Sequence, residues 1–389
     1  MGGLSGHRVD GPDESTPPGP ADAERVARLL LSQWSEAGDR ALGARVRDRG
    51  ATAVVEEILA GHSPLPASAG ITGRVPAGTS YAEAVERWAE SAQVAAERVG
   101  ARYVVPGDVE WPTQLDDLGD TRPLGLWVAG AGDLRLLALR SISVVGARSA
   151  TAYGEGIARE LGAHLAECGW LTVSGGAFGV DAAAHRGALA AQGATACVLA
   201  GGVDVPYPRS HADLLARIRE SGVLVSEAPL GGAAMRHRFL TRNRIIGALS
   251  RGTVLVEAAV RSGGRSTVRE ARELHRIVMA FPGPVTSPLS AGCHVVIRDE
   301  GAHLVTSPRE VLALVEGRLA PEDRGHVRPE DDLGWRERRV LDAVPARRPA
   351  PLVSIARLSG LGLTEVMAAL GTLDALALVH RAGDGWART

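Results

Sequence analysis

The chain has 389 residues, 45% of them hydrophobic, and a formal net charge of −2. Its length allows two or three domains of ~100–200 residues, and its near-neutral total excludes polyanion binding by bulk charge, so any anion site must come from where the charges sit. Three cysteines far apart, a polar N-terminus without an apolar h-region and no run of ~18 apolar residues argue against a disulfide framework, a zinc ligand set, a signal peptide and a transmembrane helix; the expectation is a cytoplasmic protein with no membrane partner.

Residues 1–20 are rich in Gly, Pro, Ser and acids and read as a disordered tail. Residues 21–100 read as a small helical domain of the SAM or helix-hairpin kind. Val26, Leu29, Leu30 and Trp34 share one helical face, residues 40–59 carry a break at Gly50, and a further helix covers about 81–99. From Arg102 the pattern changes. Strands are expected at 142–145, 171–173, 195–199, 223–226, 253–256 and 277–280. Helices are expected at 153–167, 181–191, 212–220, 241–249 and 267–274. Such alternation predicts an α/β domain over residues 101–316, an extended Rossmann-like, doubly wound, mostly parallel sheet with helices on both faces. Residues 317–334 are polar, with Pro321, Pro329 and acids, and read as a linker. Residues 335–389 have the order helix, helix-turn-helix, hairpin, which is the winged-helix pattern.

The chemistry gathers in the turns after the strands. The first, Val145-Gly146-Ala147-Arg148-Ser149, lacks the G-x-G-x-x-G of a dinucleotide site and replaces it with a cation. The next strand ends in Ser174-Gly175-Gly176, with no acid for a ribose, so no nicotinamide cofactor is expected. Ser174-Gly175-Gly176-Ala177 runs into a helix near Asp181; glycine amides and a helix N-terminus together predict a nest for phosphate. A third loop carries Gly202, Tyr207 and Pro208. Between Met235 and Glu270 stand eight arginines and two acids, a local +6, and inside this run lies Arg238-Phe239-Leu240-Thr241-Arg242-Asn243-Arg244. Arginine beside an aromatic suits backbone phosphate with a stacked base.

In order, Pro106-Gly107-Asp108, Gly146-Ala147-Arg148, Ser174-Gly175-Gly176-Ala177 with Asp181 and His185, Gly202-Val203-Asp204 with Tyr207-Pro208, Arg242-Asn243-Arg244, Ser262-Gly263 and Pro282-Gly283 resemble the DprA (Smf) family over about 210 residues. That resemblance implies single-stranded DNA binding, delivery of the strand to RecA in natural transformation and recombination, and a homodimer through the Rossmann-like domain. The matching positions are Arg148, Ser174, Gly175, Gly176, Ala177, Gly202, Arg238, Phe239, Arg242, Asn243, Arg244, Ser262 and Gly263. Two segments depart from the family pattern: Gly264-Arg265-Ser266-Thr267-Val268 and Cys293-His294-Val295-Val296-Ile297.

No catalytic residue, cofactor or metal is expected. The rival reading is a phosphoribohydrolase-type enzyme, for which Asp181 and Glu257 are the candidate carboxylates. A duplex-reading repressor is a third class, but the candidate recognition helix, residues 364–375, holds no Arg or Lys. Since every phosphate-type loop lies within about 102–317, that core alone is expected to keep most of the single-strand affinity.

Overall fold

The apolar runs in the middle of the chain become one sheet. In chain order its strands are β1 (Ala101–Val104), β2 (Leu126–Ala129), β3 (Ser141–Val145), β4 (Leu171–Ser174), β5 (Thr195–Val198), β6 (Val223–Ser226), β7 (Gly252–Leu255), β8 (Ile277–Ala280) and β9 (His303–Leu304). Across the sheet they lie in the order β1-β2-β6-β5-β4-β3-β7-β8-β9. β6 through β9 in that order run parallel, while β2 is antiparallel to both β1 and β6. This computed structural model describes residues 20–62, 80–318, 333–346 and 348–389. The tail reading (1–20) falls outside them except for Pro20, which begins a helix, and the linker reading (317–334) falls outside them at 319–332.

Alternation along each strand splits the core into two layers. Val145, Val173, Val198 and Leu255 pack with Ile245, Ile246, Leu249, Val268 and Val296. Ile142, Val144 and Val254 face the other way, against Leu161, Leu165, Val180, Ala184 and Val311. The chain winds outward from β3 in one direction through β4, β5 and β6, and in the other through β7, β8 and β9. The reversal lies between β3 and β7, the point where such sheets open a crevice at the carboxyl ends of their strands.

The structure adds elements that periodicity did not show. β1 and β2 stand outside the β-α alternation: β1 carries Arg102 and Tyr103 in place of a continuous apolar run, and only the 3-10 segment Thr113–Thr121 lies between the two strands. The expected helix at 241–249 is two, Arg236–Thr241 and Asn243–Leu249, meeting at Arg242. The helix expected from 267 begins at Gly263, because the Ser262 hydroxyl caps it by accepting from the Gly264 amide at 3.4 Å. Helices Ala291–Glu300 and Pro308–Val315 follow.

The N-terminal helices Pro20–Trp34, Arg40–Arg49 and Ala51–Leu59 have a core of their own, in which Leu30, Leu31, Trp34, Val46, Val54 and Val55 are buried; the helix Tyr81–Val99 instead sets Ala92 and Ala96 against the cluster around Trp127. The expected break is present: Gly50 sits at φ 82° between two helices. These helices and the sheet belong to one compact unit, where the sequence reading drew a domain boundary near residue 100. Leu29 packs beside Trp127 of β2, and Arg25 pairs with Asp108 at 2.7 Å.

Residues 333–389 form the second unit. Helices Trp335–Ala343, Leu352–Ser359 and Leu363–Ala375 close over Val340, Ile355, Val366, Leu370 and Leu373. The antiparallel hairpin of β10 (Val379–Ala382) and β11 (Gly385–Arg388) follows them, in the element order expected of a winged helix. Among the described residues no single helix is long and apolar enough to cross a membrane.

Candidate nucleic-acid interface

A cleft of about 390 Å³ opens at the β3/β7 reversal. Its walls are the turn after β3 (Gly146, Ala147, Arg148), the turn after β7 (Ala259, Arg261) and the start of the helix at Ser262-Gly263. Ala177, Phe239, Arg242 and Asn243 complete it. The first turn is held from two sides. The Ala147 amide donates to the Glu257 carbonyl at 2.7 Å, and the Ala147 carbonyl accepts from the Val180 amide at 3.2 Å. Gly179, at φ 71°, lets that turn approach; a Cβ there would strike the carbonyls of Ala147 and Arg148.

Arg148 is exposed, and its guanidinium stands 5.2 Å from the centroid of the Phe239 ring. Tyr207 also adjoins Phe239, with ring centroids 5.3 Å apart. Tyr207 is 46% exposed. A cation over a half-covered aromatic face, with a second ring adjoining, is the combination that takes backbone phosphate and a stacked base.

Arg242 has a different environment from the one its residue type suggested. It is 7% exposed. Its Nη1 donates to the Gly175 carbonyl at 2.8 Å and to the Val198 carbonyl, and its Nε donates to Asn243 Oδ1 at 3.2 Å. Burial lowers its pKa, against the pull of Asp181. Arg242 is therefore a buried tie between the ends of β4 and β5 rather than a solvated cation.

The Gly-rich loop also departs from expectation. Asp181 Oδ2 accepts from the amides of Gly175 at 3.2 Å and Ala177 at 3.4 Å. The nest predicted for phosphate is filled by the protein's own carboxylate. Burial pushes the Asp181 carboxyl above its ordinary value, against Arg242 and the two amides. Ser174 is buried, donating to the Val144 carbonyl at 2.6 Å. Ser174, Gly175, Gly176 and Gly202 lie behind the cleft rather than on its wall; the Gly202 amide donates to the Gly232 carbonyl at 2.8 Å.

Half of the local +6 is neutralised by three acids distant in sequence. Arg238 grips Glu36 bidentately at 2.8 and 3.0 Å, and Arg244 grips Glu227 with two contacts of 2.7 Å. Arg265 pairs with Glu300. So Arg238 and Arg244 hold the Phe239 segment in place instead of facing solvent. Arg148, Arg236 and Arg261 remain exposed, with no ion-pair partner among the described residues. Tyr207 and Arg261 complete the site and were not among the expected DNA-pocket residues; the signal for Arg261 was its place just before the Ser262 cap.

Both candidate catalytic carboxylates are engaged. Glu257 is 2% exposed and accepts from the Thr151 amide at 2.8 Å and its hydroxyl at 2.7 Å. His185 is fully buried with Nδ1 2.7 Å from the Thr195 hydroxyl, and burial lowers its pKa to about 3. Among the described residues no group of three or more His, Cys, Asp or Glu could hold a metal.

Fold and cleft together define an extended Rossmann-like α/β protein whose site is an open, arginine- and aromatic-lined crevice at the switch point of its sheet. The chain belongs to the DNA recombination-mediator protein A (DprA/Smf) family: the model of that family matches residues 102–316. A DprA relative in Mycobacterium tuberculosis is 44% identical over 302 residues, covering 74% of this chain and 77% of the relative. The crystal structure of DprA from Streptococcus pneumoniae aligns with a TM-score of 0.59 at 30% identity, over 75% of this chain and 97% of that one. DprA from Helicobacter pylori, whose structure concerns its single-stranded DNA binding mode, aligns with a TM-score of 0.50 at 25% identity, over 56% of this chain and 98% of that one.

Proposed function

We propose that this chain binds single-stranded DNA in the switch-point cleft, protects it and passes it to the RecA recombinase during natural transformation and recombination. The observation that carries the binding step is the exposed Arg148 guanidinium set over Phe239 beside Tyr207. The cation takes a phosphate and the rings take a base, and neither contact reads sequence. Membership in a recombination-mediator family supports the transfer to RecA and a homodimer formed through the α/β domain. The assigned role is binding and not catalysis, because Asp181 and Glu257 spend their lone pairs on backbone amides and Thr151. A mobility-shift comparison of single-stranded and duplex DNA tests the reading: the single strand is retained preferentially, and Arg148→Ala weakens it. Equal retention of both forms, or wild-type binding by a folded Arg148→Ala, Phe239→Ala double variant, overturns it.

A further inference from the structure

Phe178 follows the Ala177 that lines the cleft, and 48% of it is exposed. Its ring is held in place nonetheless. It packs edge-on to His211, with centroids 4.6 Å apart and planes at 64°. His211 is 4% exposed, and its Nδ1 lies 3.0 Å from the Gly176 carbonyl oxygen, so Nδ1 carries the proton and donates. A half-exposed phenylalanine braced by a buried, hydrogen-bonded imidazole is a fixed platform.

His211 closes the short turn that starts at Tyr207, its amide donating to the Pro208 carbonyl at 2.9 Å. The turn therefore has an aromatic contact at each end, Tyr207 on Phe239 and His211 on Phe178. Four residues of backbone span at most about 14 Å. That is at most about four nucleotides at a stacked spacing of ~3.4 Å, and fewer in an extended strand. Between the two ends stands Arg209, exposed and without an ion-pair partner among the described residues.

We propose that the turn at residues 207–211 carries the DNA strand out of the cleft, with Phe178 stacking a further base and Arg209 taking a phosphate. The inference rests on the single-strand reading above and extends its site by one platform. It commits to nucleic acid over a protein partner because the exposed ring is paired with an unneutralised arginine and adjoins the cleft.

The test is fluorescence anisotropy with oligothymidylates of about 4 to 16 nucleotides, with the melting temperature of each variant measured alongside. Phe178→Ala binds the shortest strands like wild type and the longest at least about fivefold more weakly, the lower end of a lost stack. Phe178→Trp keeps the long-strand affinity. Arg209→Ala flattens the salt dependence by about 0.7 on long strands alone. Wild-type affinity of Phe178→Ala at every length, while Phe239→Ala weakens all lengths, removes the extension and leaves the cleft. An equal loss at every length overturns it as well, since the ring then belongs to the cleft itself. No effect from either phenylalanine removes the single-strand reading and the extension together. If Phe178→Ala melts early, Phe178→Trp and Arg209→Ala decide.

Discussion

Arg242 donates to the carbonyl of Gly175 at 2.8 Å, and its guanidinium occupies the space a Cβ on residue 175 would fill. The glycine is thus required by a side chain 67 positions away, not by a phosphate. Gly175→Ala displaces the guanidinium and strands two carbonyls, at a cost of about 1–3 kcal/mol for unsatisfied buried groups. Arg242→Ala leaves the same two carbonyls unsatisfied, at a similar cost of about 1–3 kcal/mol for each buried group, and removes the nearby cation that favours the charged form of Asp181. Thermal denaturation shows both as lower melting temperatures. A melting temperature equal to wild type for Arg242→Ala would return that residue to the solvent-facing role.

Arg148 and Phe239 separate two kinds of contact. Arg148→Ala leaves the fold intact and lowers the slope of log K against log salt by about 0.7, the share of one phosphate on a single strand. Phe239→Ala loses ~1–3 kcal/mol of binding with the slope nearly unchanged. Titrations at several salt concentrations read both numbers.

Glu36 ties the N-terminal helices to the Phe239 segment through Arg238 and through His237, whose Nε2 lies 2.9 Å away. Glu36→Gln, or removal of residues 20–62, therefore weakens single-strand binding even though neither touches the cleft. Wild-type affinity of the chain lacking residues 20–62 would instead support the expectation that residues 102–317 keep most of the binding. Burial raises the Glu36 pKa, but hydrogen bonds from Arg238 and His237 outweigh it and hold the carboxyl below its ordinary value. Its stabilising share is complete above the unfolded value of about 4.3 and is lost as pH falls through the lowered one. Glu36→Gln shows a smaller loss on that acid limb.

His185 sets a second pH window. Its folded pKa is about 3, against about 6.5 when unfolded. Between those values the unfolded chain binds the extra proton, so stability rises with pH, by up to ~1.4 kcal/mol per unit from this group. Unfolding by denaturant from pH 4 to pH 7, about the span between the two values, shows that slope in the wild type. His185→Gln flattens it.

The winged-helix unit is expected to add no duplex affinity. The exposed surface of the Leu363–Ala375 helix presents Leu363, Met367, Glu365 and Asp374 and no cation. Neutralised phosphates supply most nonspecific DNA binding. A chain ending before residue 333 should retain single strands as the full chain does. Loss of duplex retention on that truncation would assign the unit to DNA.

The sheet was legible because its central strands are continuous apolar runs buried on both faces: the expected strand at 223–226 matches β6 residue for residue, and 277–280 matches β8. β1 was missed because Arg102 and Tyr103 break the apolar run, and β2 because antiparallel neighbours need no intervening helix, so the pair falls outside the β-α alternation. At the site, Arg148 and Phe239 could be read from residue type and from position after or beside a strand. Arg238, Arg242 and Arg244 could not be assigned that way. Their partners, Glu36, the Gly175 and Val198 carbonyls, and Glu227, lie from 17 to 202 positions away, and a charge sum over a window counts none of them. The Gly-rich loop misled for a related reason: composition shows the amides of a nest but not that Asp181 already fills it.

A loop that carries its own anion offers nothing to a free one. With Asp181 on the amides of Gly175 and Ala177, a nucleoside monophosphate or triphosphate finds no cup of backbone donors here, and its compact charge meets a carboxylate instead. What remains for an incoming phosphate is the set of separated, outward-facing arginines, each suited to one singly charged diester. One such contact is weak, and several in a row are strong. On the single-strand reading, the arrangement is therefore expected to discriminate by length, favouring a polymer that reaches several arginines at once over a mononucleotide that reaches one.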